Sequence, residues 1–138
     1  MGYSITSQIR GTDDYGSGAF EAPRGNRKHS GIDLIVLPNK PVFNLVAGIV
    51  TKLGYPYGDD LRYRYVEITD VNKNKARYLY VDPLVSVGAK LSKGATIGKA
   101  QDLGRRYNRK GKTITPHIHF DVNLNGTYIN PEEYLASV

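Results

Sequence analysis

The sequence predicts an all-β fold, and three features of its 138 residues carry that expectation. Short runs of β-branched and aromatic residues recur along the chain, and such side chains suit a pleated surface. Clusters of Gly, Pro, Asn and Asp punctuate those runs at turn-like intervals. The segment Pro116–Leu124 alternates: His117, His119 and Asp121 fall on one face, and Ile118, Phe120 and Val122 on the other. That is the pattern of a half-buried strand whose polar face lines a cleft.

In chain order, residues 1–28 read as an irregular arm, broken by Gly11, Gly16, Gly18, Pro23 and Gly25. Ile32–Val36 reads as a buried strand and Val42–Val50 as another. The loop Gly54–Asp60 separates these from Arg62–Ile68, which pairs across the turn Asp70–Lys75 with Arg77–Val81. Val87–Gly98 is a turn-and-strand unit, and residues 101–112 form a basic loop with Arg105, Arg106, Arg109, Lys110 and Lys112. Asn125-Gly126 is a hairpin turn into Thr127–Ile129. Asn130-Pro131-Glu132-Glu133 supplies an N-cap, a first-turn proline and acidic residues, so a short helix follows. No repeat or linker divides the chain, and residues 1–138 read as one domain large enough for a core.

Composition narrows the function classes. The chain has no cysteine, which excludes disulfides and thiol catalysis. No apolar run is long enough to span a membrane, and the N-terminus lacks the apolar core of a signal peptide. The formal net charge of +6 favours an anionic partner, either nucleic acid or an anionic bacterial wall. Arg62-Tyr63-Arg64-Tyr65 interleaves charge and aromatics, but no RNA-binding signature surrounds it, so no nucleic-acid partner is expected.

All three histidines fall in two short motifs, His29-Ser30-Gly31-Ile32-Asp33 and His117-Ile118-His119. Histidine and carboxylate suit a borderline metal such as zinc, and a catalytic zinc takes three protein ligands and keeps one open position. One His-x-x-x-Asp and one member of the His-x-His supply three ligands and leave one histidine over. Residues two or four apart share a face of an extended chain, so each pair can point into one cleft.

With those residues in view, the chain resembles the lysostaphin/LytM-type zinc endopeptidases. The matches are His-x-Gly-x-Asp at His29–Asp33, Val-x-x-Gly-x-x-Leu-x-x-Gly-x-x-Ile-Gly at Val85–Gly98, and Pro-His-Ile-His-Phe at Pro116–Phe120. Pro23–Gly25 and Asn130-Pro131…Tyr134-Leu135 also fit, so the resemblance spans roughly residues 15–135. It implies an antiparallel β-sandwich or open barrel of the duplicated-hybrid-motif type, with long loops around a zinc cleft and at most one short C-terminal helix. It implies one Zn2+ per chain held by His29, Asp33 and His119, with His117 as the catalytic histidine. A zinc-activated water would attack the peptide carbonyl.

The expected activity is hydrolysis of peptide cross-links in bacterial peptidoglycan, at the cell wall, in the periplasm, outside the cell or from a virion. A phage or prophage lysin is the expected source. The family's second catalytic histidine falls in a Tyr-x-His segment, which here reads Tyr80-Val81-Asp82-Pro83. Asp82 is therefore the candidate general base, and its replacement of histidine leaves a second reading open: a catalytically silent zinc-binding module that recognises cell wall or a protein partner. A carrier domain built on Val85–Gly98 would need a modifiable lysine at a hairpin tip, and would leave the histidines unexplained. Tyr55, Tyr57, Arg105 and Arg106 are the candidate substrate contacts, two from a Pro/Gly loop and two from the basic loop.

The charge reading generates a test. Binding to isolated walls should weaken steadily as salt rises, through screening of the basic loop. Replacing Arg105, Arg106 and Arg109 together by glutamine should lower wall binding in a sedimentation assay while metal content stays constant. Salt-insensitive binding would point instead to an apolar groove.

Overall fold

Two antiparallel sheets of unequal size share one apolar core. The computed structural model describes residues 30–104 and 114–137, together with the backbone of Pro23–Arg24 (β1) and Arg27–Lys28 (β2). The further elements are β3 (Ile32–Ile35), β4 (Pro41–Phe43), β5 (Gly48–Gly54), β6 (Tyr65–Thr69), β7 (Lys75–Leu79), β8 (Val81–Pro83), β9 (Lys90–Leu91), β10 (Thr96–Ala100), β11 (His117–Leu124), β12 (Thr127–Ile129) and α1 (Pro131–Ser137). The larger sheet runs β12-β11-β7-β6-β5-β9, with β3 also paired to β11. The smaller runs β4-β10-β8, and β1 pairs with β2. The arm expected over residues 1–28 lies outside the described residues apart from that short pair.

Each sheet sends apolar side chains into the same cluster. Ile32, Leu34, Val66, Ile68, Tyr78 and Phe120 come from the larger sheet, and Val42, Val81 and Ile97 from the smaller. Full burial of each aliphatic side chain contributes about 1.5–3 kcal/mol. The Tyr78 and Phe120 rings meet 4.9 Å apart at its centre. The Tyr78 hydroxyl stays wet-equivalent inside the core by donating to Asn44 Oδ1 (2.9 Å) and accepting from the Leu45 amide (2.8 Å).

That same asparagine corrects one expectation. Val42–Val50 does not form one strand: β4 ends at Phe43 and β5 begins at Gly48. Asn44 is buried, its Oδ1 also accepts from the Val46 amide at 3.2 Å, and its Nδ2 donates to the Ser92 carbonyl at 3.0 Å. These bonds offer the backbone a local alternative to the ladder, and the chain crosses from the small sheet to the large one there. A second break falls at Tyr80, so the expected strand Arg77–Val81 divides into β7 and β8. β11 also departs from the half-buried pattern. It pairs with β7 along one edge and with β3 and β12 along the other, and His117–Val122 are buried on both faces.

The turns and the helix form where the residues direct. Asn125 (φ 54°) and Gly126 (φ 87°) take the left-handed conformation of a two-residue hairpin between β11 and β12. Asn130 Oδ1 caps α1 by accepting from the Glu132 amide at 3.0 Å, and Tyr134 and Leu135 face the core. Asp70 closes the β6–β7 turn: its Oδ1 accepts from the Asn72 and Asn74 amides, both at 2.9 Å, and its Oδ2 from the Tyr134 hydroxyl at 2.6 Å. One carboxylate therefore ties a hairpin to the C-terminal helix.

Burial alone would raise the Asp70 pKa, but the donors from Tyr134, Asn74 and Asn72 outweigh it and hold the carboxyl below its ordinary value. A lowered folded pKa contributes stability above the unfolded value of about 4, lost as pH falls through the folded one. Asp70→Ala should cost about 2 kcal/mol in urea unfolding at neutral pH, the scale of hydrogen bonds to a charged group. The difference from wild type should shrink as pH drops below about 4.

Candidate active site

The site is assembled where β3 lies against β11. Register pairs His119 with Asp33 and His117 with Ile35. β3 comes this close because Gly31 has no side chain: a Cβ there would stand 2.3 Å from the Phe120 carbonyl oxygen and 2.9 Å from the Asp121 Cβ. The glycine of His-x-Gly-x-Asp is therefore a spacing requirement, and any larger residue would push Asp33 away from the histidines.

His119 Nδ1 lies 3.1 Å from Asp33 Oδ1, and His119 Nε2 lies 3.0 Å from Asp121 Oδ2. Arg77, paired with Asp121 across β7 and β11, completes the line with a bidentate bridge: Nε to Oδ1 at 2.9 Å and Nη2 to Oδ2 at 2.8 Å. The Arg77 guanidinium also donates to the Tyr128 hydroxyl at 3.0 Å and lies over the Tyr65 ring at 5.3 Å. An ordered row thus runs Arg77–Asp121–His119–Asp33, with Asp121 fully buried and Asp33 and His119 nearly so.

The charges in this row hold one another. Burial by itself would lower the His119 pKa, but its bonds to Asp121 and Asp33 prevail, and the imidazole keeps its proton above the ordinary histidine range. Burial would raise the Asp121 pKa, and His119 and Arg77 hold it low instead.

His117 meets the other oxygen of Asp33. Its Nδ1 is 2.7 Å from the Thr115 carbonyl oxygen, an acceptor only, so Nδ1 carries hydrogen and Nε2 faces inward, 3.5 Å from Asp33 Oδ2. The Tyr80 ring stands edge-on to the His117 ring at 5.8 Å. Tyr80 in turn stacks on Tyr57 (5.9 Å) and meets Tyr63 edge-on (6.3 Å). Tyr63 is buried with Leu103 and Ile114 in a second, small core that backs this aromatic wall.

The other expected residues divide. Tyr57 belongs to the wall, whereas Tyr55 is exposed and sits under the Arg64 guanidinium at 4.3 Å. Asp82 is not brought to the histidines. It follows fully buried Val81 on β8, so strand alternation turns it outward to a separate cavity of about 260 Å³ with Arg62, Tyr63, Lys99 and Gln101. None of Asp33, His117 and His119 lines that cavity. His29, Arg105 and Arg106 lie outside the described residues. Sequence reasoning placed Asp121 on the right face but gave it no role, and it assigned none to Arg77 or Tyr80. The i+2 spacing from His119 was the available signal for Asp121; Arg77 and Tyr80 had none, because only strand pairing and a backbone break bring them in.

With this geometry in place, the comparisons with known proteins fall into line. Residues 27–131 match Peptidase family M23. The chain belongs to that family. Peptidoglycan DD-endopeptidase ShyC of Vibrio cholerae serotype O1 is 28% identical over 106 residues, covering 76% of this chain and 22% of that protein. The chain therefore spans well under half of that relative's length. Among solved structures, lysostaphin from Staphylococcus simulans superposes with a TM-score of 0.64 at 22% identity, over 92% of this chain and 50% of that one. The catalytic domain of the prophage-encoded M23 protein EnpA from Enterococcus faecalis gives 0.65 at 20% identity, over 86% and 88%. A zinc containing peptidase from Vibrio cholerae gives 0.63 at 24% identity, over 93% and 37%. At such identities these structural likenesses establish the shared fold.

The donor chemistry of this M23 chain fits a zinc ion. His119 can give its Nε2 hydrogen to Asp121 and turn the Nδ1 lone pair towards Asp33, the carboxylate–histidine arrangement that orients metal-binding imidazoles. Asp33 and His119, 3.1 Å apart, are the two donors of the expected set that the structure brings together; among the described residues no group of three or more such side chains is placed to hold a metal ion. Asp33→Ala and His119→Ala should lose stoichiometric zinc by metal analysis. Asp121→Asn should keep both ligands but raise the zinc dissociation constant about 10- to 100-fold, the usual cost of an altered outer partner. Unchanged affinity in Asp121→Asn would show that Asp121 serves the fold only.

Proposed function

We propose that the chain is a zinc-dependent endopeptidase that hydrolyses peptide cross-links of bacterial peptidoglycan at the cell wall. The observation that carries this reading is the facing pair Asp33–His119, held by the Asp121–Arg77 bridge and flanked by His117 with Nε2 turned inward. Membership of Peptidase family M23 and the likeness to a peptidoglycan DD-endopeptidase support the choice of substrate. Asp33 and His119, with His29 by resemblance, would hold the metal. When bound, zinc supplies Lewis-acid polarisation of the scissile carbonyl and acidifies water for attack at neutral pH.

The chain's own residues do the rest. Arg77 and Asp121 fix the His119 ring, so its Nδ1 keeps one direction throughout. His117 is held through Nδ1 by a backbone carbonyl and points Nε2 towards Asp33, and in this reading that nitrogen accepts a proton and returns it to the leaving amine. A positioned acid–base group of this kind is worth about 10²–10⁴ in rate. We assign that proton transfer to His117 rather than to Asp82, whose carboxylate faces the other cavity. The net charge of +6 favours approach to an anionic wall.

Purified protein with measured zinc content, incubated with several peptidoglycan types, tests this directly. One zinc per chain with release of new amino termini is the expected result, abolished by a chelator and restored by zinc. His117→Ala should retain zinc and lose at least about a hundredfold in turnover. Zinc binding without hydrolysis would replace the peptidase with the silent binding module. Full hydrolysis by metal-free protein would end the zinc mechanism.

A further inference from the structure

Two opposite charges face each other across the smaller sheet without pairing. Register sets Lys99 on β10 directly against Asp82 on β8. Gly98 and Ala100 on either side of Lys99 are buried, as is Val81 beside Asp82, so alternation turns the two charged side chains outward together. Directly opposed residues hold their Cβ atoms about 4.5–5.5 Å apart, close enough for an ammonium and a carboxylate to meet. Here they do not meet. Among the described residues neither side chain makes a hydrogen bond or an ion pair, and both line the cavity of about 260 Å³.

Much of the remaining lining is already engaged. Arg62 is bound to Asp60 by two bonds of 2.8 Å, Nε to Oδ1 and Nη2 to Oδ2. The Gln101 carboxamide is occupied in both directions, donating to the Arg62 carbonyl at 2.7 Å and accepting from the Arg64 amide at 2.8 Å. Tyr63 donates to the Asp102 carbonyl at 2.6 Å, and Asp102 Oδ1 accepts from the Gly104 amide at 2.9 Å. These bonds fix the walls, so a ligand meets a surface that is organised beforehand.

One positive and one negative group stay open side by side. A plain anion would meet Lys99 but also the like charge of Asp82, and a plain cation would meet the reverse. A group that carries an ammonium and a carboxylate on the same carbon satisfies both, with a charge-assisted bond at each end. That group is the head of an amino acid.

We propose that this cavity is a second binding site, separate from the histidines, that takes an amino-acid head group. Lys99 donates to its carboxylate, and Asp82 accepts from its ammonium. The cavity touches the aromatic wall through Tyr63, whose ring lies 6.3 Å from the Tyr80 ring, itself 5.8 Å from the His117 ring. The Tyr63 and His117 rings therefore stand within about 12 Å of each other, the span of about four extended residues. Two sources share the chemistry: a free amino acid, or the side-chain head of a diamino-dicarboxylic residue in a wall peptide. The second source draws on the peptidase reading; the site itself does not.

Chemical-shift titration of zinc-loaded, isotope-labelled protein tests the site, with D-alanine as the first probe. Saturable shifts are expected at the amides of Asp82, Lys99 and Gln101. Removing either charge of the probe, as N-acetyl-D-alanine or D-alaninamide, should weaken binding about tenfold or more, the scale of one hydrogen bond to a charged group. Lys99→Met and Asp82→Asn should each do the same to D-alanine. Both substitutions stay close to the original side-chain shape at exposed positions, so melting temperature and zinc content should match wild type. The tripeptide L-alanyl-γ-D-glutamyl-meso-diaminopimelate, whose side chain ends in this head group, distinguishes the sources. Affinity at least about tenfold above that of D-alanine assigns the site to wall peptide, and equal affinity assigns it to the free amino acid. Absence of saturable shifts at the cavity with both probes, or affinity unchanged by both substitutions, would overturn the proposal. Binding is the only readout, so a zinc-loaded protein that cleaves no peptidoglycan would overturn the peptidase reading and leave this site standing.

Discussion

The Asp121 carboxylate is the interaction on which the rest of this site depends. It is fully buried on β11, and it is shared between the Arg77 fork on β7 and the His119 ring on the same strand. A buried carboxylate survives only with partners, and breaking such a pair by removing one of them costs about 3–5 kcal/mol. The row Arg77–Asp121–His119–Asp33 therefore crosses three neighbouring strands, β7, β11 and β3, and its geometry can be satisfied in one register only. A slip by one residue would turn Asp121 and His119 to the opposite face and strand the arginine. Function and register are specified by the same few atoms.

This arrangement explains why β11 is buried on both faces although half its residues are polar. The polar face does not meet solvent; it meets its own ion row, and the Arg77 guanidinium is covered by the Tyr65 and Tyr128 rings. Every buried side-chain nitrogen and oxygen among the described residues has a hydrogen-bond partner. Polar satisfaction on one face and the Tyr78–Phe120 core on the other let a single strand serve as both the hydrophobic centre and the floor of the site. Gly31 makes the approach of β3 to that floor possible. The site is thus built into the sheet, where side-chain positions are held by the ladder, rather than carried on loops alone.

The aromatic wall has a separate origin. Tyr63, Leu103 and Ile114 form a small core away from the main one, with Tyr57 and Tyr80 packed against it. That satellite cluster fixes the Tyr80 ring independently of the ion row. Two scaffolds therefore meet at His117: the ladder of β11 sets its backbone, and the wall sets what its ring touches.

The sequence by itself determined the all-β fold, the hairpin at Asn125-Gly126, the capped helix after Asn130 and the two motifs that carry Asp33, His117 and His119. Each of these is written in local signals: alternation, turn chemistry, capping residues and ligand spacing. The chain breaks at Asn44 and Tyr80 were invisible, because both continue β-rich runs and are set by bonds to residues distant in sequence. Asp82 looked like the residue to join the histidines because it stands where the family's Tyr-x-His segment carries its histidine. Tertiary structure decided otherwise: the left-handed turn at Tyr80 sends that ring to His117, and the alternation of β8 sends Asp82 to the far cavity. Arg77 and Asp121 likewise meet only through the pairing of β7 with β11, 44 residues apart. Spacing along the chain reports which side chains share a face; which faces meet is settled by sheet pairing and backbone strain, and these exist only in the folded molecule.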